Sequence, residues 1–116
     1  MTSKETKGSG EENLTEQQII STYRGMLNEV SQMRRKISEL EQEMGEHQLV
    51  VDTLQPMEQS RRAYRLVGGV LVERTVGEVL PSVEANKNGI KQVLEHLGKS
   101  LSEKELAATD WKVSVS

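Results

Sequence analysis

The sequence predicts a mainly α-helical chain, in which the helices of a long antiparallel two-helix coiled coil are joined by a single β-hairpin. Three observations lead to this prediction. Apolar residues recur at steps of four and three along two long segments, which is the heptad pattern of a coiled coil. A pair of glycines between the two segments is flanked by aliphatic residues, as in a tight hairpin. The chain also has few side chains with which to fill a globular core.

The composition favours an elongated structure over a compact one. Of the 116 residues, 34% are hydrophobic and 3% aromatic, and there is no Phe, so a globule of this length would be short of core-forming side chains. A helical pair needs fewer, because its apolar residues form a stripe. The net charge of −3 gives no basic surface, so we expect neither nucleic acid nor an anionic membrane as a partner.

The absence of cysteine and the hydropathy of the chain exclude several kinds of site and segment. The chain has no Cys, which excludes disulfides, thiolate metal sites and a Cys nucleophile. No apolar run is long enough to span a membrane, and no signal peptide is recognisable at the start. We therefore expect a cytoplasmic location, a nuclear one, or both. Residues 1–13 are almost entirely polar and are expected to form a disordered tail.

The first helix is predicted over residues 15–58. Thr15 and Gln18 have the spacing of a capping box, in which two side chains cap the first turn reciprocally. Pro56 lacks a backbone N–H and clashes with the preceding turn, so the helix should end or kink close to it. The seam of this helix consists of Ile19, Tyr23, Met26, Val30, Met33, Ile37, Leu40, Met44, His47, Val51 and Leu54.

The second helix is predicted over residues 76–112, within a domain that spans residues 14–116. Thr75 and Glu78 form a second capping box, which marks the helix start. Pro81 falls in the second turn, where proline is tolerated less well than at the first helical position. The seam of this helix consists of Val76, Leu80, Val83, Lys87, Ile90, Leu94, Leu97, Leu101, Lys104, Ala108, Trp111 and Val115.

The hairpin is predicted over residues 62–74. Gly68 and Gly69 tolerate the positive φ angles that a two-residue turn requires. A turn at these glycines pairs each strand residue with one partner, and it places two aliphatic pairs on opposite faces of the hairpin. These pairs are Val67 with Val70 and Leu66 with Leu71.

The two seams mesh when the helices run antiparallel. The layers then extend from Leu54 opposite Leu80, next to the hairpin, to Tyr23 opposite Trp111 at the open end. The intervening predicted pairs are Val51–Val83, His47–Lys87, Met44–Ile90, Leu40–Leu94, Ile37–Leu97, Met33–Leu101, Val30–Lys104 and Met26–Ala108.

The layer of His47 and Lys87 is the polar position nearest the hairpin. A metal site there is disfavoured, because the only other histidine of the chain is His96. A polar layer that fixes the helix register is the preferred interpretation. The expected salt-bridge partners of this layer are Glu43, Glu46 and Glu84.

Glycines within the predicted helices leave two interpretations open. Each one costs about 0.5–1 kcal/mol relative to Ala. Either the coiled coil is modestly stable until its hairpin is anchored, or the helical arms are built to flex. The five residues are Gly25, Gly45, Gly77, Gly89 and Gly98.

The hairpin implies an assembly. A lone two-stranded hairpin is marginal in water, and its open apolar edges are an aggregation hazard. The rest of the chain is predicted to be helix and tail, so other subunits must supply further strands.

Three segments resemble beta-class prefoldin subunits. They are Glu46-His-Gln-Leu-Val-Val-Asp-Thr-Leu54, Arg61-Arg-Ala-Tyr-Arg-Leu-Val-Gly-Gly-Val-Leu-Val-Glu-Arg-Thr-Val76 and Glu78-Val-Leu-Pro81. The resemblance covers roughly residues 15–112, and one hairpin per chain is the mark of the beta class. It implies a heterohexamer in which the hairpins of alpha- and beta-class subunits join into an intersubunit β-barrel.

The resemblance also implies a function. Coiled-coil arms hold non-native polypeptides, notably actin and tubulin, at their tips and pass them to the cytosolic group II chaperonin without consuming nucleotide. The alternative is a coiled-coil scaffold or adaptor in a prefoldin-like assembly complex. An enzyme is disfavoured, because no phosphate-binding loop, nucleophile motif or paired-carboxylate pocket is found. We therefore expect no catalytic residue, cofactor or metal.

Two sets of site residues follow. For Arg65 and Glu73, strand solvation is as good an interpretation as partner choice. Tyr23, Met26 and Trp111 have the alternative role of closing the last core layer. The oligomerisation set is Tyr64, Arg65, Leu66, Val67, Gly68, Gly69, Val70, Leu71, Val72 and Glu73. The client-binding set is Ile19, Ile20, Tyr23, Met26, Leu27, Ala107, Ala108, Trp111 and Val113.

Overall fold

The computed structural model describes residues 14–115 of the chain. Two long helices flank a two-stranded antiparallel hairpin: α1 is Glu16–Leu54, β1 is Arg62–Val67, β2 is Val70–Thr75 and α2 is Val76–Val115. The predicted fold class is thereby confirmed. The tail predicted over residues 1–13 lies outside the described residues.

The fold divides into two compact units. The hairpin unit is Ile37–His96 and contains both strands with the adjoining halves of the helices. The terminal unit combines the described residues up to Lys36 with those from Leu97 onward.

A capping box determines where helix α1 begins, and a proline determines where it ends. The backbone N–H of Thr15 donates to Gln18 Oε1 at 2.9 Å, and the N–H of Gln18 donates to Thr15 Oγ1 at 3.1 Å. This is the reciprocal capping box predicted from the sequence. The helix ends at Leu54, four residues earlier than position 58. Pro56 accounts for the early end, because proline disfavours helical conformation at the residue before it.

The predicted seams are the faces that the helices bury. Every seam residue of α1 is buried or half-buried, and every other residue from 16 to 54 is exposed. Every seam residue of α2 is likewise buried or half-buried. Val30, Val51, Val76, Val83 and Ala108 are the most deeply buried of them. The heptad pattern therefore identified the packing face of each helix correctly.

The core of the hairpin unit confirms the predicted register beside the strands. Val51, Val79 and Val83 form a buried cluster, and Leu54 and Leu80 pack against it. The predicted layers Val51–Val83 and Leu54–Leu80 thus fall in one cluster. Ala63 of β1 packs against the same residues, which fixes the base of the hairpin on the helices.

A short loop connects α1 to the hairpin and also caps α2. The backbone N–H groups of Val76 and Gly77 donate to the carbonyl oxygens of Arg61 and Gln59, each at 2.9 Å. The first N–H groups of a helix have no partner within the helix, so these carbonyls satisfy two of them. A Cβ on Gly77 would lie 3.2 Å from Gln59 Cβ, which explains why the close approach uses glycine.

The hairpin has the predicted turn and register. Gly68 and Gly69 have φ angles of 57° and 82°, as expected for a turn in which both central residues are left-handed. Val67 pairs with Val70, and Leu66 pairs with Leu71.

Candidate functional site

The two faces of the hairpin differ in their contact with the helices. Arg65 and Val72 share one face and are half-buried. The opposite face, called here the outer face, consists of Tyr64, Leu66, Leu71 and Glu73. Its three apolar members are 60–70% exposed: Tyr64 60%, Leu66 70% and Leu71 65%. Removing apolar surface from water stabilises the buried state by about 25 cal/mol for each Å². The outer face is therefore a strong candidate for burial in an assembly.

The hairpin tip extends the exposed apolar surface to the other side. Val67 and Val70, which flank the glycine turn, are both more than half exposed. Apolar side chains therefore reach solvent on both sides of a two-stranded sheet, which one packing layer cannot cover. The predicted oligomerisation residues are accordingly brought together on one element.

The two charged residues of the predicted oligomerisation set are engaged within the chain. Arg65 Nη1 donates to Ser82 Oγ at 2.8 Å, which ties β1 to the second turn of α2. Glu73 Oε2 lies 2.9 Å from Arg62 Nε across the strand pair, and both side chains are exposed. An exposed pair of this kind contributes at most about 1 kcal/mol.

The terminal unit contains the predicted client-binding residues, and these residues differ in how far they are buried. Ile19, Tyr23, Met26 and Trp111 are half-buried, as expected of residues that partly close the core. The exposed members are Ile20, Leu27, Ala107 and Val113. Ala108 is only 3% exposed, so it is a core residue in this structure and contributes little surface to a client site.

A groove of about 380 Å³ brings several of these residues together. Tyr23, Leu27 and Val30 of α1 line it together with Ala108 of α2. An ion pair between Arg34 and Glu105 lies at its edge. The apolar floor with a charged rim suits an apolar segment of another chain, because interfaces typically combine an apolar centre with a polar rim.

Trp111 has an unusual polar atom. Its Nε1 is buried and has no hydrogen-bond partner among the described residues. A buried donor without a partner costs about 1–3 kcal/mol. The indole N–H is therefore a group that would gain from any acceptor brought to this end of the helices.

Comparison with known proteins identifies the family. A family model described as "Prefoldin subunit" matches residues 17–116. The chain is 41% identical over 112 residues to prefoldin subunit 2 of Arabidopsis thaliana, covering 97% of the chain and 76% of that protein. It is 46% identical over 98 residues to probable prefoldin subunit 2 of Dictyostelium discoideum, covering 84% of each. Prefoldin subunit 2 of Homo sapiens is 43% identical over 97 residues, which are 84% of the chain and 63% of that protein.

The chain belongs to the prefoldin subunit family. Membership confirms the resemblance carried by the hairpin sequence. Prefoldin subunits are chaperone components that partner one another, so this chain assembles with other prefoldin subunits.

In the polar layer of His47 and Lys87, the side chains bind groups other than the carboxylates of the predicted glutamates. Lys87 Nζ donates to Gln48 Oε1 at 2.9 Å, and among the described residues it pairs with none of the three predicted glutamates. His47 Nδ1 lies 2.8 Å from the backbone oxygen of Glu43. Lys104 is half-buried, with Nζ 3.5 Å from Glu29 Oε2.

Residues 14–115 contain neither a candidate metal site nor a candidate membrane span. No cluster of His, Cys, Asp and Glu within that range could hold a metal ion. None of the described helices combines the length and the apolar character needed to cross a membrane.

Sequence reasoning missed four exposed apolar residues of this prefoldin subunit, one of which is Val93 on α2. Leu106 is 62% exposed and lies seven residues before Val113, so the two share a helix face in the terminal unit. Leu49 and Val50 are exposed near the hairpin end of α1. All four lie off the seams, and that position was the signal that would have found them.

Proposed function

We propose that this chain is a beta-class subunit of a heterohexameric prefoldin, in which it assembles through its hairpin and holds non-native polypeptides at its helix ends. The observation that carries the assembly part is the outer face, where Tyr64, Leu66 and Leu71 are exposed on a sheet of only two strands. The unpaired edges of β1 and β2 can accept strands from other subunits, and a second layer can cover the apolar face.

The proposed client site is the exposed apolar surface of the terminal unit. Off-seam apolar residues of α1 are confined to its two ends, with Ile20 and Leu27 at the first. On α2, Leu106 and Val113 are exposed in the same unit. Scattered aliphatic and aromatic side chains around a shallow groove suit promiscuous binding, because no single shape is demanded of the partner.

We further propose that the clients are unfolded actin and tubulin, and that they pass to the cytosolic group II chaperonin without nucleotide. Each helix end offers a small apolar area, so one arm binds weakly. Several arms that contact one client raise the effective concentration at each of the other sites. Weak individual contacts also permit release to a chaperonin.

Trp111 allows a direct test, because it is the only tryptophan of the chain. The chain is labelled with fluorotryptophan, assembled with unlabelled prefoldin subunits, and observed by ¹⁹F NMR. Chemically unfolded actin is expected to shift or broaden the Trp111 resonance, whereas folded actin leaves it unchanged. A matched sample with Ile20→Gln and Leu27→Gln should show a weaker response, and a Val93→Gln sample should respond like the wild type.

The result that overturns the client proposal is specific. If the assembled complex suppresses actin aggregation while the Trp111 resonance stays constant, these helix ends do not hold the client. A resonance that responds to a folded partner and ignores unfolded chains would indicate a scaffold or adaptor subunit.

A further inference from the structure

The exposed apolar surface of the hairpin unit continues from the hairpin onto α1. A groove of about 330 Å³ lies among the end of α1, strand β1 and the start of α2. Val50, Tyr64 and Leu66 line it, together with the buried Val79 and Val83. Tyr64 and Leu66 are also members of the outer face, so the groove and that face form one continuous surface.

The sequence of α1 changes character at this groove. From Asn28 to Gln48, every residue off the seam is polar or glycine, and every one is exposed. Leu49 and Val50 then interrupt the polar surface with exposed fractions of 67% and 40%. They share a helix face with Glu46, which also lines the groove. Leu49 does not belong to the seam, so packing between the two helices does not account for an apolar residue there.

We propose that this groove and the adjoining Leu49 form a second part of the subunit interface, which is filled by apolar side chains of a neighbouring prefoldin subunit. The proposal rests on the proposed function, because it requires assembly through the hairpin. A neighbour that covers Tyr64 and Leu66 also covers the wall of the groove, since the same side chains form both. The interface therefore extends from the strands onto the last turns of α1.

The test changes the groove without changing the hairpin. A double variant with Leu49→Gln and Val50→Gln keeps helix-forming residues at both positions, so the chain should retain its helix. The matched controls are Leu106→Gln and Val93→Gln, which make the same changes at other exposed helix positions. Each chain is co-expressed with the other prefoldin subunits, and its incorporation is measured by native mass spectrometry over a dilution series.

We expect the double variant to require about tenfold higher concentration for incorporation, while both controls assemble like the wild type. A hairpin variant with Leu66→Gln and Leu71→Gln separates the two proposals. If it fails to assemble and the groove variant matches the controls, the groove is outside the interface and only the present inference is wrong. If the hairpin variant assembles normally, the proposed function is wrong as well.

A labelling experiment provides a second measurement that does not depend on weakening the complex. Because the chain has no native cysteine, Leu49→Cys introduces a single thiol, and mass spectrometry of this chain reports its modification by a maleimide. We expect assembly to slow labelling at position 49 about tenfold or more, and to leave a Leu106→Cys chain unaffected. Equal labelling rates at position 49 before and after assembly would overturn the inference. So would protection that appears only when unfolded client is added.

Discussion

Gly77 lies where the loop before β1 contacts the first turn of α2. A Cβ at this position would lie 3.2 Å from Gln59 Cβ and 3.4 Å from the carbonyl oxygen of Gln59. That oxygen also accepts the Gly77 N–H at 2.9 Å. Glycine is therefore used here for close approach, whereas a Cβ on Gly89 would meet nothing within 4 Å.

The two glycines should respond in opposite directions to alanine. Gly89→Ala is expected to raise the free energy of unfolding by about 0.5–1 kcal/mol, because alanine loses less backbone entropy in a helix. Gly77→Ala should lower it by up to about 1 kcal/mol, because the new methyl displaces Gln59 and weakens the cap. Urea unfolding followed by circular dichroism measures both. A Gly77→Ala chain more stable than Gly89→Ala would contradict the close-approach role.

Glu78 caps the same helix through its side chain. The backbone N–H and the hydroxyl of Thr75 both donate to Glu78 Oε1, at 3.0 and 3.1 Å. These hydrogen bonds, first that of the backbone and then that of the hydroxyl, lower the pKa of the Glu78 carboxyl below its usual range, with a smaller contribution from the charge of Arg74. A lowered pKa in the folded state means that the ionised carboxylate stabilises the fold.

This shift predicts a pH dependence. The stabilisation from Glu78 is fully present above the ordinary pKa of glutamate, and it is lost as the pH falls through the lowered folded-state value. Glu78→Gln should therefore unfold more easily than the wild type at neutral pH, and the difference should disappear in acid. Urea midpoints at several pH values measure it. An equal difference at every pH would show that the carboxylate charge is not involved.

At the scale of the element, the hairpin turn depends on backbone freedom. Gly68 has a φ of 57°, a value that costs an ordinary residue about 1–2 kcal/mol. Asn tolerates this region better than other residues, and β-branched residues tolerate it worst. Gly68→Asn should therefore preserve assembly with other prefoldin subunits, while Gly68→Val should reduce it. Native mass spectrometry distinguishes the two, and equal assembly of both would argue against a strained turn.

The helices and the turn were predictable from the sequence, because their patterns are direct consequences of geometry. A heptad stripe on a long helix is typical of packing against a partner helix, and a Gly-Gly pair between aliphatic residues favours a tight two-residue turn. The contacts of long polar side chains were less predictable. Lys87 has several acceptors within reach and uses Gln48, and Arg65 uses Ser82. Small free-energy differences decide between such partners, and a sequence pattern does not contain them.

At the scale of the whole molecule, the distribution of off-seam apolar residues is the feature that relates structure to function. Along α1 they occur only at its two ends, as Ile20 and Leu27 at one and Leu49 and Val50 at the other. A helix that packed only against its partner helix would need none of these off-seam apolar residues. The first pair belongs to the proposed client site, and the second pair adjoins the hairpin surface proposed for assembly.

The central claim is that the hairpin cannot remain solvent-exposed and is covered by other subunits. The most direct measurement is the native mass of this chain when it is co-expressed with the other prefoldin subunits. The predicted result is a heteromeric complex from which a Leu66→Gln, Leu71→Gln chain is excluded. A chain that stays monomeric and well folded at every concentration, with its hairpin amides exchanging freely with solvent, would contradict the claim.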